Sequence, residues 1–504
     1  MKTKQVKIIK ETFQKMSDIV TPTMGAKGRL AVLQDEFSRP FLTDDGVTVA
    51  KECIKFDDPF ERMIALSIIE AANNTEKHAF DGTTLTVLLT NEFYKAGLDL
   101  IKKKVHPQEA SDIIKSEVDE ALKHLNKMRM PIGTKEPIKH VANITTKIPA
   151  IGELVANAFE YAGPNMNVVI EHDRKNQESS IEHVEGMVID SGYFSDEMKQ
   201  LCNNDGKWEA DNAKLILLAE GILTKVGIKV LFNSIENPNQ PLVFFLSKDF
   251  SPECLKILLD NLIQNKLRFM IVFINDSKPD EVFLDIAART GGIIQSPTLG
   301  TTDYSLEYAG TAEHIIIEQD KTTILCKENM DAVEARVKSY KKELEDKEFN
   351  TGIIRADVIN RRLANLTTGV TKIKIAAQTI TEFTTIRLKL DDAIGAVRCA
   401  CRDGVLPGGG KALYLISLKG ECKHIKNALQ KPCLTIIENA GLKKPKKEIL
   451  ENSERGLDVM HNSIINLFEE GIIDSFTSID TAIRNAQSIA CNYLKAYIII
   501  NQTA

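Results

Sequence analysis

The chain has 504 residues, 43% hydrophobic and 27% charged, a globular composition too long for one hydrophobic core. Its formal net charge is -6 with acidic and basic residues interspersed, which excludes the electrostatic footprint of a nucleic-acid binder. Nine scattered cysteines, with no CxxC pair and no histidine at metal-ligand spacing, read as reduced thiols in a cytosol-like compartment, and no apolar run reaches the roughly 18 residues of a membrane helix. A cytoplasmic, multidomain protein without nucleic-acid or membrane partners is therefore expected.

In chain order, the lysines of residues 1–15 alternate with Glu11 and lack the apolar stretch of a secretory signal, so this segment is expected to be a first helix. Leu30 to Leu33 and Phe41 to Leu42 flank a polar turn, the pattern of a β-hairpin. After Asp81, apolar residues at Leu85, Leu88, Leu89, Phe93 and Ala96 form the stripe of an amphipathic helix. From about Glu185 to Thr368, short β-rich runs (Leu215 to Leu218, Leu242 to Leu246, Phe269 to Phe273) alternate with helical segments, an α/β pattern. From Asp391 the chain returns to helices, including Ser478 to Ile500. Two helical ends enclosing an α/β insert imply that both ends build one domain.

Four segments carry chemistry. Asp81-Gly82-Thr83-Thr84 lies directly ahead of a helix, where free amides attract phosphate and a carboxylate can hold the magnesium of a nucleotide; an ordinary capping turn would look the same. Thr23-Met24-Gly25-Ala26-Lys27-Gly28-Arg29 is a second glycine turn, followed after the hairpin by Asp44-Asp45-Gly46. The cluster Gly408-Gly409-Gly410 is not a P-loop, because the spacing before Lys411 is wrong and Ala412 sits where Ser or Thr should ligate magnesium. Asp391-Asp392 is read as opening a helical run, either as dipole-stabilised surface or as the source of a general base.

The order of these segments resembles a group I chaperonin, the GroEL kind. The series runs Thr-x-Gly-x-Lys-Gly-Arg, Asp-Gly-Val-Thr-Val-Ala-Lys-Glu (Asp45 to Glu52), Asp-Gly-Thr-Thr, Glu-Gly-Met with Gly-Tyr (Glu185 to Tyr193), Asp-Asp-Ala (Asp391 to Ala393), Gly-Gly-Gly and Gly-Ile-Ile-Asp (Gly471 to Asp474), covering nearly the whole chain. The resemblance implies a multidomain α+β/α chaperonin fold. Residues 1–127 and 403–504 would form a helical equatorial ATPase domain, 128–184 and 370–402 a small α/β intermediate hinge domain, and 185–369 an α/β apical domain that grips unfolded polypeptides. It further implies ATP/ADP, Mg2+ and K+ as cofactors, a homo-oligomeric ring, heptameric by family, and raises a co-chaperonin lid as a partner.

Carried over by position, Thr23, Met24, Gly25 and Ala26 line the nucleotide site and Asp81 is the magnesium ligand. Gly82, Thr83 and Thr84 hold phosphates, with Leu85 at the place of a third threonine; Thr84 and the Thr23 and Asp44 carbonyls lie near potassium. Gly409 approaches the nucleoside, Asp474 pairs with the ribose, and Asp458 and Ile472 flank the adenine. Asp392, with Asp45, aligns and activates the attacking water. The client groove corresponds to Tyr193, Ser195, Ile228, Leu231, Phe232 and Ile235 and to Leu255, Leu258 and Leu259, with about half of these positions expected to serve the core instead.

The chain also departs from the pattern. Phe80 replaces a glycine before Asp81, Ala26 a proline, Asp458 an asparagine and Ser191 an arginine, while Glu197 and Met198 replace an aromatic pair and Asp260 a valine. The aspartates of the active site persist, so ATP hydrolysis with altered affinity or rate is expected, driving a foldase. The altered groove keeps open a nucleotide-binding ring that acts only as holdase or scaffold. A built-in lid of the archaeal kind is disfavoured by Lys27-Gly28-Arg29 and by the short apical segment.

Overall fold

The computed structural model describes residues 3–34, 40–43, 45–52, 56–164, 167–173, 176, 178–193, 195–203, 206–219, 230–247, 252–264, 267–276, 278–296, 305–326, 330–345, 358–359, 362–363, 365–367 and 369–496. These divide into two compact units: one built from Met1–Glu160 and Gln378–Ala504, the other from Tyr161–Ala377. The two ends of the chain thus form one unit and its middle forms the other.

The first unit contains helices α1 (Thr3–Val20), α2 (Gly46–Glu52), α3 (Pro59–Ala79), α4 (Thr83–Lys102), α5 (Pro107–Met128), α6 (Lys135–Thr146) and most of α7 (Pro149–Ala162). Its second half contributes α12 (Ile380–Asp403), α13 (Lys411–Ile416), α14 (Lys426–Asn439), α15 (Lys447–Glu451) and α16 (Phe476–Lys495). On α1, Ile9, Phe13, Met16 and Val20 recur at helical spacing and are buried, and on α16 Ile479, Ala482, Ile483, Ala486, Ala490 and Leu494 do the same. These stripes close on α4 from opposite ends of the sequence: the Phe13 ring meets Tyr94 of α4 at 4.8 Å and Tyr493 of α16 at 5.4 Å. Each such burial is worth about 1.5–3 kcal/mol.

Helix α4 is not the one-sided helix its stripe implied. Leu85 to Phe93 are buried almost without interruption, apart from Glu92, because α1, α3, α5, α14 and α16 all pack against it. Its buried threonines are satisfied within the helix, Thr86 and Thr90 donating to the carbonyls four residues back at 3.0 and 2.7 Å. Glu117 on α5 is also buried, and its carboxylate accepts from the His424 and Ile425 amides at 2.8 and 3.1 Å, anchoring the start of α14.

Three small strand pairs complete this unit. The expected hairpin is present as β1 (Ala31–Gln34) against β2 (Pro40–Thr43), antiparallel with Val32 opposite Leu42. β12 (Val405–Pro407) pairs with β15 (Ile473–Ser475), and β13 (Arg455–Asp458) with β14 (Ser463–Asn466).

The inserted unit holds two sheets. β3 (Val168–Asp173) and β11 (Val370–Ala376) run parallel, with β4 (Ser180–Val184) on the other side of β11. A six-stranded sheet has the order β5-β10-β9-β6-β7-β8, where β5 is Gly186–Ile189, β6 Trp208–Leu218, β7 Leu242–Leu246, β8 Phe269–Phe273, β9 Gly310–Ile317 and β10 Thr322–Leu325. β6, β7 and β8 are parallel and, apart from Lys214 at the start of the paired stretch, apolar where they pair, as expected of strands covered on both faces. Helices α8 (Asp196–Lys199), α9 (Pro252–Gln264), α10 (Pro279–Thr290) and α11 (Met330–Glu345) accompany the sheets. Asp285 of α10 accepts from Arg336 at 2.7 Å, Tyr340 at 3.0 Å and Arg362 at 3.2 Å, a buried network joining α10, α11 and Arg362.

Two sequence expectations are corrected. Asp391 and Asp392 do not open a helix but stand midway along α12, which begins on Thr379: the Thr379 hydroxyl accepts from the Glu382 amide, and the Glu382 carboxylate accepts from the Gln378 amide. The last helix starts at Phe476, two residues earlier than expected, and is described as far as Lys495.

Candidate functional site

The start of α4 is assembled from several elements. Gly82 takes a left-handed conformation (φ 92°) before the first turn, and Asp81 Oδ1 accepts from the Gly82 amide at 2.7 Å. Asp81 therefore braces its own turn and does not cap the helix, so the first-turn amides at Thr83 and Thr84 carry no side-chain cap among the described residues. Thr23 follows α1 in a tight turn, and its hydroxyl donates to the Val20 carbonyl and lies 3.5 Å from the Thr84 hydroxyl. That turn is pinned by Asn439 of α14, whose amide donates to the Thr21 and Met24 carbonyls at 2.9 and 3.0 Å. Gly25 packs on Ile436, while Ala26 lies on the same turn.

Asp45 begins α2, accepting from the Val47 and Thr48 amides, and the backbone of Gly46 rests against Thr83 and Thr84. Asp44 lies outside the described residues. On the opposite strand pair, Leu406 faces Asp474, and the chain turns through Gly409 (φ 64°) and Gly410 (φ 72°), where a side chain would be strained. The amides of both glycines point at the Asp474 carboxylate. Ile472 accepts from Gly408 and touches the Gly409 position. Lys411 is turned away from any phosphate: buried, it donates to the Ile449 and Leu450 carbonyls at 2.7 and 2.8 Å, in agreement with the rejected P-loop.

Electrostatics tie these pieces together. Burial pushes the Asp392 carboxyl up to about 7, helped by the charges of Glu76, Asp391, Asp45 and Asp81. Burial likewise lifts Asp474 to about 7, with Asp81 adding to the effect and the Gly410 and Gly409 amides opposing it. Desolvation raises Asp81 from its ordinary value even though the residue is exposed at the surface, and the Gly82 amide and then Lys147 pull it back. Asp45, Asp81, Asp392 and Asp474, which lie far apart in sequence, thus share one electrostatic neighbourhood. Adjacent residues on a helix point about 100° apart, so Asp392 turns inward while Asp391 faces solvent beside Arg387.

Sequence reasoning missed Glu76. It lies in the last turn of α3 and is raised by burial and by Asp45, and no motif marks it; only the fold brings it between Asp45 and Asp392. Two expected nucleotide contacts are placed differently from the rest. The Leu85 side chain belongs to the core. Asp458 is the last residue of β13, bound to His461 at 2.6 Å and to the Met460 amide at 2.8 Å; burial works to raise its carboxyl, and these bonds hold it below the usual range. Its neighbour Leu457 packs in the cluster that contains Ile436.

In the inserted unit, the expected groove residues separate. Leu231 is fully buried and Tyr193 nearly so, both within the sheet core because Tyr193 bridges to Val272 and donates its amide to Glu318. Their side chains are accordingly part of the core. Met198 is core as well. Phe232, Ile235 and Leu259 are half-buried, Ser195 is partly exposed, and Asp260 is exposed. Ile228 and the side chains of Leu255 and Leu258 lie outside the described residues.

Against this geometry, the model of the TCP-1/cpn60 chaperonin family matches residues 16–225 and 222–503. The chain belongs to the chaperonin family. Among solved structures, this chaperonin is similar to chaperonin gp146 from the bacteriophage EL 2 (Pseudomonas aeruginosa), determined in the presence of ATP-BeFx in two crystal forms. Form II superposes with a TM-score of 0.76 at 19% identity, covering 98% of this chain and 97% of that one. Form I gives 0.71 at 17% identity, covering 99% and 98%. At such identity the likeness speaks to the fold, which is the chaperonin fold along the full length. No helix among the described residues is long and apolar enough to cross a membrane.

Proposed function

We propose that this chaperonin is an ATP-dependent foldase of the group I kind, with Asp392 as the base that activates water for attack on the terminal phosphate. The observation that carries the reading is the convergence of Asp45, Asp81, Asp392 and Asp474 beside the uncapped start of α4. A carboxyl near 7 is well matched to proton transfer at neutral pH, since it exchanges the water's proton readily in either direction. In this reading the Thr83 and Thr84 amides hold phosphate oxygens, Asp45 orients the water with Asp392, and Asp474 and Ile472 flank the nucleoside.

The residues fit magnesium. Among the described residues no group of three or more carboxylate, histidine or cysteine side chains gathers to hold an ion alone, so Asp81, whose charge Lys147 only partly offsets, would need phosphate oxygens and waters to complete the sparse coordination that magnesium favours. Bound there, the ion would neutralise charge on the transferring phosphoryl group. Thr84 and Thr23 would place uncharged oxygens near potassium.

The remaining proposals are a three-domain division at 127/128, 184/185, 369/370 and 402/403, a homo-oligomeric ring of seven, non-native polypeptides as clients, and a cytosolic location. ATP turnover would time the domain movements. Replacement of Asp392 by Ala should lower the steady-state ATPase rate about 10²–10⁴-fold; an unchanged rate refutes the assignment. A holdase or scaffold is the second reading, favoured by the burial of Leu231 and Tyr193 and the exposed Asp260. Refolding yield of a denatured client with and without ATP separates the two, and electron micrographs with ADP or ATP test the ring.

A further inference from the structure

We infer that Phe80 is a positioning residue for Asp392, acting through a notch in α12 that exists only because residue 395 is glycine. This rests on the role proposed for Asp392. Phe80 ends α3 in the left-handed region (φ 58°, ψ 12°), held by its amide to the Glu76 carbonyl at 2.8 Å. That conformation is unfavourable for a bulky L residue. Gly395 is equally unfavourable locally, lying in the interior of a 24-residue helix where glycine costs conformational entropy.

Each oddity is explained by the other. A Cβ built on Gly395 would fall within the Phe80 ring, against its Cγ, Cδ1 and Cδ2, so the ring lies directly on the helix backbone. Phe80 immediately precedes Asp81, and Gly395 is three residues from Asp392, on the same side of α12. The seat therefore links two carboxylates whose charges oppose their approach. One turn further on, Cys399 is buried and its thiol donates to the His78 carbonyl at 3.6 Å, so α12 follows the end of α3 over two turns. Packing at Phe80–Gly395 thus holds the base where electrostatics alone would push it away.

The test is a double-mutant cycle on the full chain with Phe80→Gly, Gly395→Ala and both together. Gly395→Ala should lower kcat for ATP about 10- to 100-fold, with ADP affinity by calorimetry changed less than about threefold, since the α4 end of the site is untouched. Phe80→Gly empties the notch, so the double variant should be no slower than Phe80→Gly alone. Alkylation of Cys399, followed by peptide mass spectrometry, should be faster in Gly395→Ala than in the unsubstituted protein and return in the double variant to the Phe80→Gly rate. Losses in kcat that simply multiply, or a Gly395→Ala variant with unaltered kcat and Cys399 labelling, overturn the inference. If the unsubstituted protein hydrolyses no ATP, the function reading fails while Cys399 labelling still decides whether the seat exists.

Discussion

Removing the Glu76 carboxylate should make the proposed ATP hydrolysis faster in mild acid. If Asp392 is the base and titrates at about 7 in the free protein, kcat/KM must rise about tenfold between pH 6 and 8, as the ionised fraction climbs from about a tenth to about nine tenths. Glu76 is the largest charged contributor to that high value, after burial. A like charge in the same recess is worth on the order of 1 kcal/mol, so Glu76→Gln favours the ionised base and carries the rising limb to lower pH. At pH 6 the variant should then exceed the unsubstituted protein about fourfold in kcat/KM, and at pH 8.5 the two should nearly coincide. Phosphate release from magnesium-ATP across pH 5.5–9 measures both curves, and titration of the substrate is common to both. A limb moved to higher pH by Glu76→Gln, or a flat profile between pH 6 and 8 in the unsubstituted protein, refutes the reasoning.

Three further outcomes are expected. Because folding raises the Asp392 pKa, its contribution to stability is present below the ordinary carboxylate pKa and lost as pH rises through about 7; Asp392→Asn should therefore raise the melting temperature of the nucleotide-free protein more at pH 8 than at pH 5. Asp285→Ala removes the buried carboxylate shared by Arg336 and Arg362, leaving Arg362 to Asp276 and Glu281 and Arg336 to the Glu281 carbonyl, a loss of about 1.5–3 kcal/mol that denaturant unfolding of the full chain should register. Val32 and Leu42 stand opposite each other on the hairpin, 68% and 63% exposed, and if they meet a neighbouring subunit, Val32→Asp should lower the assembled fraction in sedimentation velocity without changing helicity.

Local chemistry made part of this molecule legible. The glycine turn and carboxylate of residues 81–84, the hairpin and the apolar runs within β6, β7 and β8 could be read because period and turn residues act within a few positions. The start of α12 was readable too, for Thr379 and Glu382 have capping-box spacing, yet the acidic pair drew attention to the wrong turn. Other features have no local sign. Glu76 looks like any polar residue of a surface helix until α2 and α12 come to flank it. The amphipathic stripe of α4 gave no hint that its polar face would also be covered, since the covering helix α16 lies at the far end of the sequence. On Leu231, spacing could mark an apolar face but not say whether it meets the sheet or solvent.

The split construction of the first unit has a consequence for biosynthesis. Its central helix α4 is capped by α16, which emerges from the ribosome only after the entire inserted unit has been made. At about 5–20 residues per second, the early helices wait tens of seconds with an oily flank uncovered, whereas the insert, whose entering and leaving strands β3 and β11 lie side by side, can close on itself in the interval. For that period the nascent chain carries the kind of uncovered apolar surface that makes unfinished folds prone to aggregate.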